Sequence, residues 1–165
     1  MRSDFFDLLE RLVGAGVDFV IVGGFAGVAH GCTYVTQDID ICCDFSPDNL
    51  LRLQNALSDL HAVHRMTPKQ PKLNLTKENC TLYKNLYLDT EIGQLDCLSF
   101  IDGVGDYEKV KTASEVIQTE DIQLRILNIE ALIESKKAMG REHDKQAILQ
   151  LETIKELKSK KSDNR

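Results

Sequence analysis

Residues 38–42, Asp38-Ile39-Asp40-Ile41-Cys42, alternate between acidic and apolar side chains. A strand turns successive side chains to opposite faces, so both carboxylates share one face while Ile39 and Ile41 share the other. The chain must therefore build a sheet here with one buried face. It must also accommodate two like charges side by side on the other face, which is unfavourable until water or a cation neutralises them.

The surrounding pattern supplies partners for that strand. Residues 18–22 are apolar and β-branched, closed by Gly23-Gly24, and read as a short buried strand running into a helix over 25–30 that Gly31 stops. Before it, Ser3 can cap a helix with apolar positions Phe5, Leu8, Leu9, Leu12 and Val13, ended by Gly14 and Gly16. Ser46-Pro47 opens another helix, with cap and first-turn proline in order. Residues 61–80 are mixed, and only a weak strand near 72–75 is expected. Strands are expected over 82–88, 94–100 and 122–127, and helices over 106–113, from Asn128 to about 140, and from 142 to about 159. The pattern predicts one α+β domain over 1–160, with a mixed, largely antiparallel sheet flanked by helices and a helical C-terminal third. Residues 161–165 read as a basic, disordered tail.

Composition narrows the function. With 20 basic and 26 acidic residues among 165, the chain carries a net charge of −6. That argues against coating nucleic acid by bulk attraction, though not against a local basic cleft. Apolar runs such as 19–22 are far too short for a bilayer, and the first residues lack a signal-peptide core, so a cytoplasmic protein is expected. The thiols Cys32, Cys42, Cys43, Cys80 and Cys97 show no zinc spacing and read as reduced, partly buried side chains.

Three elements carry candidate chemistry. Gly23-Gly24 at a strand end allows close backbone approach, and the following helix start offers free N–H groups to a phosphate; it also reads as a plain tight turn. Asp38 and Asp40 suit a hard divalent cation such as magnesium, or else lie on a solvated sheet face. Asp96 sits inside an apolar strand, where a charge is paired or ligating; it reads either as a third ligand or as the partner of a lysine. Three such carboxylates could hold two metals for an in-line phosphoryl displacement. Other motifs fail on context. Gly14-x-Gly16 precedes its strand, so no dinucleotide fingerprint exists, there is no P-loop, and cysteines stand where an EF-hand loop needs Asp or Asn and Gly.

In order along the chain, these residues resemble the nucleotidyltransferase superfamily that includes DNA polymerase beta. The likeness extends to the minimal bacterial nucleotidyltransferases of toxin–antitoxin and abortive-infection systems. The pattern G-G-x-A-x-x-x-H-G followed by T-x-D-[IL]-D is met by Gly23, Gly24, Ala26, His30, Gly31, Thr36, Asp38 and Asp40. Gly93 and Asp96 match a later G-x-x-D strand, and Leu132-Ile133, Lys136, Gly140-Arg141 and Asp144 match a helical L-I-x-x-K, G-R and downstream D. The chain departs from the pattern at Tyr34, where family members often carry an arginine, a difference that bears on acceptor choice and activity.

The resemblance implies a nucleotidyltransferase fold and transfer of a nucleoside monophosphate from NTP, ATP included, to an acceptor hydroxyl. That acceptor would be an RNA end, transfer RNA among them, or a side chain of a cognate toxin or antitoxin protein. Asp38, Asp40 and Asp96 would be catalytic and hold Mg2+, with Mn2+ as a substitute. Gly23, Gly24, Thr36, Lys136 and Arg141 would bind the nucleotide. His30 would either donate to the nucleotide or cap a turn. Asp144 suits a structural ion pair with Arg141, Lys137 a solvated helix face, and Tyr83 and Tyr87 packing. The alternative is a nucleotide-binding or partner-binding relic of the fold without transferase activity.

Overall fold

The computed structural model describes residues 4–33 and 36–163; Ser3 and Tyr34, singled out above, lie outside them. The β-branched run 19–22 forms strand β1 (Phe19–Val22), buried throughout, after helix α1 (Asp4–Gly14). Helix α2 (Gly23–His30) begins at the glycine pair itself, two residues earlier than the pattern suggests, and ends with Gly31 in the left-handed conformation. Strand β2 (Asp38–Cys43) buries Ile39 and Ile41, whereas Asp38 and Asp40 are only partly buried. Helix α3 (Pro47–Ala56) is capped by the Ser46 hydroxyl, which accepts from the Asn49 N–H.

The central sheet continues through β3 (Val63–His64), β4 (Asn85–Thr90), β5 (Gly93–Leu98), β8 (Ser114–Gln118) and β9 (Gln123–Leu127), in the order β3-β4-β5-β2-β1-β9-β8. Its β1–β9 and β2–β5 pairs are parallel, and the others antiparallel. A small hairpin of β6 (Phe100–Ile101) and β7 (Gly105–Asp106) leads into α4 (Tyr107–Thr112), capped by Asp106. Asn128 caps α5 (Ile129–Met139), and α6 (Glu142–Asp163) closes the chain. Helices α2, α5 and α6 pack on one another, while α1 packs on α3 and β5. The architecture is the expected α+β one, with a mainly antiparallel sheet and a helical C-terminal third. All five cysteines are buried and none forms a disulfide among the described residues, and no described helix is long and apolar enough to cross a membrane.

Several local expectations are corrected. Residues 72–75 make only a single bridge, Lys72 opposite Val63, because the Leu75 backbone N–H and C=O bond to the Gln54 side chain instead of a strand. Leu82, expected to open a strand, instead ends a 3-10 turn over Cys80–Leu82, and β4 begins only at Asn85. Strand β8 lies at the sheet edge and is mostly exposed, so its sequence carries little apolar alternation to announce it. Helix α6 runs through Asp163, so residues 161–163, assigned to a disordered tail, are helical.

A buried amide ties α3 to the sheet. Asn49, fully buried, accepts from the Asp18 N–H at 2.8 Å and donates to the carbonyls of Asp44 at 2.7 Å and Asp18 at 3.1 Å. These groups flank β1 and β2, so the amide holds both strand ends together. Replacing it by an isosteric apolar group leaves buried polar groups unmatched, which costs about 1–3 kcal/mol each. Asn49→Leu should lower stability by about 3 kcal/mol, read as a lower urea midpoint with an unchanged slope.

Candidate active site

Strand register brings the predicted carboxylates together. Along β2, Asp40 pairs with Val22 of β1 on one side and with Asp96 of β5 on the other. Asp96 is in turn opposite Tyr87 of β4, and the Arg65 N–H, just past β3, donates to the Tyr87 carbonyl at 2.8 Å. A single row thus crosses the sheet from Val22 through Asp40, Asp96 and Tyr87 to Arg65. Residues in one row face the same way. Asp38, two positions before Asp40, joins that face.

The row opens into a cleft of about 790 Å³ whose lining includes Gly23, Gly24, Thr36, Asp38, Asp40 and Asp96. A further part of the lining comes from α5, α6 and the turn between them, with Lys136, Arg141 and His143. A more open groove of about 590 Å³ between α4 and α5 holds none of the predicted residues. The acidic floor and this cationic wall line the same cleft, an arrangement suited to a metal-bound polyphosphate.

Gly23 shows why no other residue fits there. Its φ is +66°, and a Cβ would collide with the Asp40 carboxylate and stand 3.0 Å from the Asp40 Cβ. Among the described residues no side chain caps α2, so its first N–H groups are left to a ligand at the cleft.

The cationic wall is held by Asp144, fully buried. Arg141 donates to both Asp144 oxygens, at 2.7 and 3.2 Å, and its backbone N–H donates at 3.1 Å. Burial pushes the Asp144 carboxyl up, but these bonds outweigh it and hold the group below its usual range. Lys136 Nζ lies 3.8 Å from Asp144, and burial of the ammonium draws its pKa down. Lys137, by contrast, faces solvent beside Glu134 and Glu152.

His30 points elsewhere. It is buried, with Nε2 2.8 Å from the Leu127 carbonyl and Nδ1 3.5 Å from Lys158 and 3.6 Å from Glu115, and it does not line the cleft. Of the two tyrosines, Tyr83 stacks on His64, whereas Tyr87 lines the cleft wall.

Arg65 is the site residue that the sequence pattern does not announce. Its Nη1 and Nη2 reach the two Asp96 oxygens at 2.6 and 3.2 Å. Asp96 is therefore paired with a cation, though with an arginine rather than a lysine. Among the described residues no group of three ligand side chains is set to hold a metal ion as it stands. The donor chemistry nonetheless fits one, because Asp38, Asp40 and Asp96 offer carboxylate oxygens to one cleft, and two of them are short of positive charge. Burial first, then the Asp96 and Asp38 charges, push Asp40 up to about 7, with Lys136 opposing. Burial and Asp96 also raise Asp38, against Arg65.

The Asp40 shift has a defined sign. Its folded pKa lies above the ordinary 3.8, so between pH about 4 and 7 the folded protein keeps a proton that the unfolded chain releases. In chelator, stability should fall as pH rises through that window and level off above it. Asp40→Asn should be about 4 kcal/mol more stable than wild type at pH about 8, and equal to it near pH 4, by urea unfolding. Equal stability at both pH values would contradict a strained Asp40 carboxylate.

No protein-family model matches the chain, and no curated protein matches its sequence. Solved structures do. A candidate nucleotidyltransferase from Thermotoga maritima superposes with a TM-score of 0.51 at 15% identity, over 98% of this chain and 91% of that one. An antigenic nucleotidyltransferase-like protein from Paracoccidioides brasiliensis superposes with a TM-score of 0.55 at 13% identity, over 90% of this chain and 74% of that one. At such identities the likeness speaks to architecture. The chain has the fold of nucleotidyltransferase-like proteins.

Proposed function

We propose that the protein is a metal-dependent nucleotidyltransferase that moves a nucleoside monophosphate from a nucleoside triphosphate to an acceptor hydroxyl. The observation that carries this reading is the register pairing of Asp40 with Asp96, beside Asp38 and the uncapped start of α2. Fold likeness to nucleotidyltransferase-like proteins supports the general kind of reaction.

Asp38, Asp40 and Asp96 would hold magnesium or manganese, which when bound supplies Lewis-acid stabilisation of the reacting phosphate and the acceptor oxygen. The backbone N–H groups of Gly23 and Gly24 receive the triphosphate, with Thr36 at the rim. Asp96 accepts the acceptor's hydroxyl proton on a carboxylate oxygen. The acceptor oxygen then bonds to the α-phosphorus while the bond to the bridging oxygen of pyrophosphate breaks. Lys136 and Arg141 balance the charge that grows on the departing pyrophosphate, held in place by Asp144. ATP is one donor of the required class. An RNA end, such as that of transfer RNA, and a hydroxyl side chain of a toxin or antitoxin partner are the acceptors the sequence resemblance supports.

One observation favours a second reading, a binding relic. Arg65 already neutralises Asp96, as an internal cation would in a site that no longer needs a metal. Label transfer separates the two. Wild type incubated with each labelled NTP, magnesium, and RNA or protein fractions should label one fraction. Asp96→Ala should lose transfer by at least about 100-fold while retaining most NTP binding by calorimetry. Asp38→Asn with Asp40→Asn should lose both. Absence of label with every NTP and fraction, alongside intact NTP binding, would favour the relic.

A further inference from the structure

Arg65 makes more contacts than a structural ion pair requires. Its guanidinium grips both oxygens of Asp96, while Nη1 also donates to the Leu88 carbonyl at 3.2 Å and Cζ lies 5.9 Å from the centre of the Tyr87 ring. Carbonyl and ring together can keep hold of the guanidinium if the carboxylate is taken away. Both partners are largely shielded, with side-chain exposures of 19% for Arg65 and 12% for Asp96. The residue follows a strand of only two residues, at the sheet edge. Its main chain is fixed by the Tyr87 bond, so a small side-chain swing suffices to release Asp96.

Arg65 holds one donor on each Asp96 oxygen, so a divalent ion ligated by Asp96 would stand beside the guanidinium on the same carboxylate. The two cations repel in a shielded cleft, and metal binding therefore weakens the hold of Arg65. Among the described residues the carboxylates share a cleft without forming a ready metal cage, and within it Arg65 holds both Asp96 oxygens.

We propose that Arg65 is an internal counter-cation that occupies Asp96 when no divalent ion is bound, and that metal binding displaces it toward Leu88 and Tyr87. The inference rests on the metal-site reading of the proposed function. It assigns Arg65 a positioning role. The arginine keeps Asp96 from facing Asp40 unpaired in the metal-free protein, and it sets the metal concentration at which the site fills.

The test compares full-length wild type, Arg65→Gln and Arg65→Lys, using Mn2+ titration by calorimetry without nucleotide and melting temperatures with and without Mn2+. Arg65→Gln should bind Mn2+ about tenfold more tightly, or about 1.4 kcal/mol. It should melt below wild type in chelator and approach it at saturating Mn2+. Arg65→Lys keeps the charge but not the two-pronged grip, so it should fall between them. Unchanged or weaker Mn2+ affinity in Arg65→Gln would overturn the proposal. So would a melting deficit of the same size with and without Mn2+, which marks a purely structural arginine. Mn2+ binding by none of the three proteins would overturn the metal-site reading itself, and the inference with it.

Discussion

Asp40 and Asp96 face one another across two parallel strands, and their mutual repulsion in a half-buried cleft sets the terms for the groups around them. The hydrophobic core fixes that juxtaposition. Ile39, Ile41, Leu95 and Cys97 are fully buried on the same two strands, and a slip of one residue would turn them outward and bury the carboxylates. The apolar face therefore enforces the charged one. Repulsion between the carboxylates is then answered from both sides, by Arg65 on Asp96 and by Lys136 near Asp40.

The helical wall solves a related problem. Two cations facing a cleft need an anchor, and Asp144 provides it from a fully buried position at the first turn of α6. Removing Arg141 would leave the buried Asp144 carboxylate without its main partner, so the two function as a unit. Their bonds span residues 141 to 144, which fixes how α6 leaves α5 and thus how far the cationic wall stands from the carboxylate floor.

Much of this is legible in the sequence because it is local. Alternation marks β2, β-branched residues mark β1, and Ser46 and Asn128 sit where caps belong. Asp38, Asp40 and Asp96 stand out since a charge in an apolar strand needs a reason. Arg65 does not stand out. Its link to Asp96 passes through Tyr87, across a two-residue strand in a proline-punctuated segment, and no pattern within that segment encodes the register. Asn49 is hidden for the same reason, being a polar residue on a helix whose partners lie in loops of other elements. His30 matches a motif position, yet its ring turns to Leu127, because a residue at the end of α2 faces β9 rather than the cleft.

Paramagnetic broadening by Mn2+ tests most directly whether the carboxylate row is a divalent-cation site. With trace Mn2+ added to uniformly 15N-labelled protein, the amide signals of Gly24, Asp40, Asp96 and Tyr87 should broaden first, and Asp38→Asn with Asp40→Asn should abolish the effect. Amides around the groove between α4 and α5, such as Glu108 and Glu134, should stay sharp. Broadening centred there, or none at the carboxylate row at saturating Mn2+, would contradict the assignment.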